Sequence, residues 1–141
     1  MIVYCAVPIK GDQTFHNYCL DIVNFVSSLG HTALSELNSR FKPAAPLRDS
    51  EIFSRDIKWI DKSEVVIAEV SGPSLGVGFE IAYVLYKMNL PVLALANEEA
   101  KGLSAMITGC NSELLTLIKY SDTEDLKKAI SGFLKKFDKP K

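Results

Sequence analysis

The stretch Val65-Val66-Ile67-Ala68-Glu69-Val70-Ser71-Gly72-Pro73-Ser74-Leu75-Gly76-Val77-Gly78-Phe79-Glu80 decides the reading of this chain. Its first residues are a continuous apolar run, the pattern of a parallel strand buried on both faces. A turn of Ser, Gly and Pro follows, and a helical pattern opens near Gly76. A strand end, a glycine-containing turn and a helix start together form a place where backbone N–H groups can face an anion. Glu80 falls in the opening turns of that helix, where the positive end of the dipole favours an ionised carboxylate. A charged carboxylate beside a phosphate cradle suits attack on a sugar carbon better than simple nucleotide storage.

Working outward, strands alternate with helices. Ile2 to Pro8 reads as a first strand, and Lys10-Gly11-Asp12 as a turn with Asp12 capping the next helix. Phe15, Tyr18, Cys19, Ile22, Val23, Val26 and Leu29 recur at helical spacing until Gly30. His31 to Leu37 is a second strand, Asn38 to Leu47 a loop with two prolines, and Asp49 or Ser50 to Asp61 a helix. Glu64 to Val70 is the third strand, about Gly76 to Met88 the third helix, and Pro91 to Ala96 the fourth strand. A short helix lies within Asn97 to Gly109. Leu115 to Tyr120 is the fifth strand, and Leu126, Ile130, Phe133, Leu134 and Phe137 line one face of the last helix. The order predicts one α/β domain over residues 1–141: a doubly wound, five-stranded parallel sheet flanked by helices, Rossmann- or flavodoxin-like. In such sheets ligands sit at the carboxyl ends of the strands, where the loops Pro8 to Asp12, Ser71 to Gly78 and Asn97 to Ser104 should converge.

Bulk properties narrow the function classes. The 141 residues, 48% hydrophobic and 23% charged, suit one globular domain. A net charge of −1 gives no reason to expect nucleic acid or an anionic membrane as partner. The apolar runs fall short of the ~20 residues that span a bilayer. Met1 leads almost at once into a strand, so a cytoplasmic protein is expected. Cys5, Cys19 and Cys110 lack metal or redox spacing and read as reduced thiols. No metal-type cluster surrounds His16 or His31.

On its own, a glutamate near a helix start usually just improves that start. Ser74, Gly76 and Gly78 alter the balance, because glycines admit a ligand close to the backbone and the serine adds a donor. Asp56 reads either as a solvent-facing charge near Lys58 and Lys62, or as a second carboxylate beside Glu80. Glycosidic chemistry needs both an attacking group and an acid for the departing base. Tyr4 is a core residue or a phenol that holds a carboxylate. Lys10 is a phosphate counter-charge or a surface lysine, and Ser104 reads first as a helix cap. No G-x-G-x-x-G follows the first strand, which disfavours a dinucleotide fold.

At these residues the chain resembles the nucleoside 2-deoxyribosyltransferase superfamily, and within it the 2'-deoxynucleoside 5'-phosphate N-hydrolases. The resemblance spans nearly the whole chain. It is carried by Tyr4 with Ile9-Lys10-Gly11, Asp56-Ile57-Lys58-Trp59, the run 65–70, Pro73 to Glu80, and Leu103-Ser104-Ala105-Met106-Ile107 with Gly109. It implies that Glu80 attacks C1' of deoxyribose, that Asp56 assists departure of the base, and that Tyr4 orients the nucleophile. It implies substrate contacts at Ile9, Lys10, Gly11, Ser74, Gly76, Gly78, Ser104 and Met106. Ser104 would serve the partner subunit's site, so the working unit would be a homodimer, with no metal or organic cofactor. Pro8 stands where the hydrolases usually carry serine, and Lys10 where arginine is common. Base exchange between nucleosides, a ribonucleotide substrate and nucleotide binding without turnover are the alternatives.

Overall fold

The computed structural model describes residues 1–140. Five strands form one all-parallel sheet in the order β2-β1-β3-β4-β5: β1 Ile2–Ala6, β2 Thr32–Leu34, β3 Val65–Glu69, β4 Val92–Asn97 and β5 Leu115–Tyr120. The expected doubly wound architecture is present. The strand order reverses between β1 and β3, so the crevice of such a sheet lies between the loops that leave these two strands.

Strand alternation sorts the core into two layers. Val3, Cys5, Val65, Ile67, Leu93 and Leu95 face α1 (His16–Ser28) and α5 (Thr123–Lys135), meeting Ile22, Val26, Leu126 and Ile130. Tyr4, Ala6, Val66, Ala68 and Val92 face the other way. They meet Trp59 and Ile60 of α2 (Asp49–Asp61), and Val77 and Ile81 of α3 (Leu75–Tyr83). A phenol on the second layer is unusual, because every neighbouring strand position there is small or aliphatic.

Several boundaries differ from the sequence expectation, each for a local reason. β1 stops at Ala6 rather than Pro8, whose ring nitrogen cannot donate to the ladder. Asp12 does not cap α1; its Oδ1 accepts from the Thr14 N–H at 2.8 Å, and the helix begins only at His16. β2 ends at Leu34, not Leu37. There the Ser35 hydroxyl accepts from the Leu37 N–H, and the Asn38 side chain reaches back to the Ala33 carbonyl at 2.8 Å, turning the chain away. Phe137 lies beyond the end of α5 and packs on Phe133, ring centroids 5.1 Å apart.

α3 starts one residue earlier than expected, because Ser74 caps it by accepting from the Val77 N–H at 3.3 Å. It runs on into a wider π-helical turn, Val84–Met88. Asn89 then ends it at φ 53°, ψ 45°, the left-handed conformation that asparagine tolerates better than other side-chained residues. Asn89→Gly should therefore keep stability within about 0.5 kcal/mol, while Asn89→Val should lose about 1–2 kcal/mol in urea unfolding. Equal midpoints for the two variants would show that this backbone conformation carries no strain.

Candidate active site

The loops after β1 and β3 are locked together at the crevice. The Asp12 N–H donates to the Pro73 carbonyl at 3.2 Å. A Cβ on Gly11 would lie 2.6 Å from that same oxygen, so only glycine permits the approach. The Gln13 side chain gathers the β1 loop from inside, its Nε2 donating to the carbonyls of Pro8, Ile9 and Gly11 at 2.9–3.2 Å. Ile9 and Lys10 are left pointing outward; Lys10 is largely exposed, with Asp49 at 4.0 Å.

A second brace holds the β3 loop. Glu69 is fully buried; its Oε1 accepts from the Ser71 N–H at 2.5 Å, and its Oε2 accepts from the Tyr120 hydroxyl. Ser71 in turn accepts from the Asn97 N–H at 2.7 Å. Burial raises the proton affinity of Glu69, and these hydrogen bonds oppose the rise. The brace fixes the peptides that lead to Ser74, where α3 begins. The N–H groups of Leu75 and Gly76, in the first turn, have no intrahelical acceptor, and both residues are exposed.

Helical spacing places Gly76 and Glu80 on one stripe of α3. Glu80 turns towards the sheet, where the Tyr4 hydroxyl donates to its Oε2. The sequence left Tyr4 between core and functional roles, and it fills both: 4% exposed in the second core layer, with its hydroxyl on the carboxylate. Asp56 projects from α2 onto the same place, close enough for its charge to act on both Glu80 and Tyr4. The two acidic side chains that lie far apart in sequence are thus brought together.

The electrostatics correct one expectation. The helix start should favour an ionised Glu80, yet burial dominates and pushes its pKa up to about 7. The Tyr4 hydrogen bond pulls it down, while the charges of Asp56 and Glu36 push it further up. Burial also raises Asp56, opposed by Arg55. Burial and the two carboxylates hold the Tyr4 proton firmly in place, so the phenol acts as a donor.

Asp56 is not the solvent-facing charge of the simpler reading. Its Oδ1 accepts from Arg55 Nε at 3.0 Å, and Lys58 and Lys62 make no ion pair with it. Arg55 and Glu36 were not distinguished by any spacing; the only signal was that Arg55 adjoins Asp56 in the chain. Gln13 and the Glu69–Tyr120 pair gave no sequence signal either.

Ser104 and Met106 stand elsewhere. Ser104 caps the short helix α4 (Ala105–Thr108), accepting from the Met106 N–H at 3.2 Å, and the Met106 side chain is 82% exposed. With Ser74, Gly78, Ile81 and Leu85 they line a cavity of about 500 Å³ on the far flank of α3. Glu80, Asp56 and Tyr4 do not line it. Within one chain, Ser104 and Gly78 are therefore separated from the carboxylates, while Ser74 adjoins both regions. Among the described residues no group of His, Cys, Asp and Glu is placed to hold a metal ion.

The raised pKa of Glu80 has a consequence for stability. Its proton is held more tightly folded than unfolded, so the stabilisation is complete below the ordinary carboxylate pKa near 4.5 and is lost as pH rises through about 7. Glu80→Gln removes that loss. Its melting temperature should pull ahead of the wild type between pH 5 and pH 8, with the gap smallest at pH 4. A gap that stays constant across calorimetric scans at pH 4, 6 and 8 would contradict the burial of this charge.

Comparison with known proteins places this geometry. The family described as nucleoside 2-deoxyribosyltransferase matches residues 3–117. A Thermofilum pendens protein provisionally named 2'-deoxynucleoside 5'-phosphate N-hydrolase 1 is 35% identical over 137 residues, covering 95% of each chain. The 5-hydroxymethyl-dUMP N-hydrolase of Esox lucius is 32% identical over 110 residues, 77% of this chain and 72% of that protein. Among solved structures, the CMP N-glycosidase of Clostridium botulinum shares the fold with a TM-score of 0.69 at 16% identity, over 93% of this chain and 98% of that one. The 2-deoxyribosyltransferase of Bacillus psychrosaccharolyticus does so at 0.65 and 17%, over 89% of each. With its match running from β1 into β5, the chain belongs to the nucleoside 2-deoxyribosyltransferase family.

Proposed function

We propose that the protein hydrolyses the N-glycosidic bond of 2'-deoxynucleoside 5'-monophosphates, giving free base and 2-deoxyribose 5-phosphate. The observation that carries the reading is the Tyr4 hydroxyl on Glu80 with Asp56 beside them, on the α3 stripe that begins at the free amides of Leu75 and Gly76. The names of the similar proteins, N-hydrolases of deoxynucleotides, point the same way.

In this scheme the 5'-phosphate sits on the first-turn amides of α3, with the Ser74 hydroxyl as a further donor and Lys10 as a mobile counter-charge. Ile9, Gly11 and the Gly76 backbone border the sugar. The Glu80 carboxylate attacks C1'; the C1'–N bond breaks with its electron pair going to the base, and Asp56 supplies the proton. Tyr4 holds Glu80 in line, and its hydrogen bond keeps the nucleophile more acidic than burial alone would. A water then attacks C1' of the ester, gives its proton to Asp56, and Glu80 departs as the carboxylate. Absence of a 2'-hydroxyl eases the oxocarbenium-like transition state, which favours deoxyribose.

Two copies of the chain would complete the site. Leu75, Phe79, Tyr86 and Met106 are exposed by 54–96%, and Phe79 packs on Phe53 and Tyr83 at the surface. An apolar strip of this kind favours a protein partner. It adjoins Ser74, so in this reading a second copy docked there would contribute its Ser104 to the phosphate. We assign the cytoplasm as the setting and the full 1–141 chain as the unit.

Glu80→Ala should abolish base release and Asp56→Asn lower it by about 10²–10⁴-fold, both with native circular dichroism. Chromatography against deoxy- and ribonucleotides, with and without the 5'-phosphate, reads the result. Full turnover by Glu80→Ala would end the assignment, and an exchanged nucleoside formed with added free base would make the enzyme a transferase.

A mixing experiment tests the shared site. Glu80→Ala and Ser104→Asp, each inactive alone, should recover about a quarter of wild-type activity after co-refolding, because half the dimers then hold one intact site of two. No recovery would refute a Ser104 contributed by the partner subunit, and an active Ser104→Asp on its own would place Ser104 outside the site.

A further inference from the structure

Asp56 and Glu80 act on the Tyr4 hydroxyl, Glu36 acts on both acids from further out, and one cation, Arg55, stands among the three carboxylates. Arg55 Nε donates to Asp56 Oδ1 at 3.0 Å, and its Nη2 lies 3.6 Å from Glu36 Oε2. Its guanidinium is stacked over the Trp59 ring, 4.5 Å from the centroid. The side chain is 15% exposed, far less than a surface arginine, and Nη2 is buried without a hydrogen bond. Nη2 thus stands just beyond hydrogen-bond reach of the Glu36 carboxylate, held by charge and by the stacking on Trp59.

We infer that Arg55 is the positioning residue of the site: it fixes Asp56 through one oxygen, leaving the other to serve the departing base, and it sets the charge balance under which Asp56 and Glu80 work. The inference rests on the hydrolase reading for the roles of the two acids, and not for their geometry.

Fixing Asp56 follows from the stacking. Trp59 follows Arg55 by one helical turn, so the ring holds the guanidinium over its face. Arg55 Nε then has one orientation, and Asp56 Oδ1 is committed to it. Oδ2 makes no hydrogen bond and can carry the proton. Lysine could supply charge here but neither the planar fork nor the stacking.

Charge balance follows from the neighbours. The groups facing Arg55 are Asp56 on its own helix, Glu36 from the loop after β2, Tyr4 from β1 and Glu80 from α3. Burial raises both acids and the phenol; Glu36 adds to the rise in Asp56 and Glu80, and Arg55 opposes it in all three. A permanent cation at this spot lets Glu80 ionise in a place crowded with negative charge, before a phosphate adds more. Without it, both acids hold their protons to higher pH.

The test combines titration and kinetics. Carbon-detected NMR of 13C-carboxyl-labelled protein, assigned with Glu80→Gln and Asp56→Asn, gives the Glu80 and Asp56 midpoints without reference to activity. In Arg55→Met both midpoints should move to higher pH; in Arg55→Lys they should stay near those of the wild type. In kinetics, the pH 8 to pH 6 ratio of kcat/KM should rise at least threefold in Arg55→Met, while Arg55→Lys should keep the wild-type ratio but lose about tenfold in kcat. Added guanidinium ion at millimolar concentration should restore part of the activity of an Arg55→Ala variant. Unmoved midpoints in Arg55→Met, or equal kcat losses in both variants with unchanged pH profiles, would reduce Arg55 to a packing role. A wild-type enzyme that releases no base, yet shows the titration shifts, would refute the hydrolase reading and leave the charge assignment standing.

Discussion

A carboxylate pressed against the hydroxyl of a tyrosine from the sheet is the constraint on which the rest depends. Tyr4 grows out of β1 on a sheet face whose other buried positions are alanine, valine and leucine, and its hydroxyl donates to Glu80. Burial makes the Glu80 charge costly, and the phenol offsets part of that cost. The outcome is an acid whose proton balance lies close to neutrality, the range in which a nucleophile can be both available and reactive. A sheet without Tyr4 would still pack, but it would have no hold on the group above it.

The surrounding loops serve that placement. The β3 loop is braced from beneath by Glu69, Ser71 and Tyr120, and from the side by the backbone of Asp12 on Pro73. The brace of Glu69, Ser71 and Tyr120 is buried and partnered, so the start of α3 is held by core structure as well as by the surface contact of Asp12. The first-turn amides of Leu75 and Gly76 and the acid about one turn later therefore belong to one braced helix.

Much of the fold was legible because parallel strands buried on both faces leave continuous apolar runs, as at 65–68 and 92–96, and because glycine and asparagine mark helix ends. The Ser74 to Glu80 stretch announced its helix and its acid, but not that Ser74 would cap the helix. What spacing could not announce was that Asp56 would meet Glu80, since the meeting depends on how α2 and α3 pack over β1 and β3. Boundaries failed where side chains redirected the backbone, as Asp12 does with Thr14 and Asn38 with Ala33. The ionisation of Glu80 was misjudged because a dipole of about half a charge competes poorly with loss of solvent. Glu69 and Tyr120 were hidden for a different reason: both read as ordinary strand residues, and only the sheet brings them into contact.

The contact between Gly11 and the Pro73 carbonyl also bears on how such proteins can diversify. Position 11 has no room for any side chain, and the two loops must keep their lengths in step to preserve the fit. Variation in what the crevice accepts is thereby channelled into positions 9 and 10, whose side chains are exposed and can be exchanged without disturbing the clamp. A laboratory attempt to retarget the protein would do best to randomise those two codons and leave the seam behind them untouched.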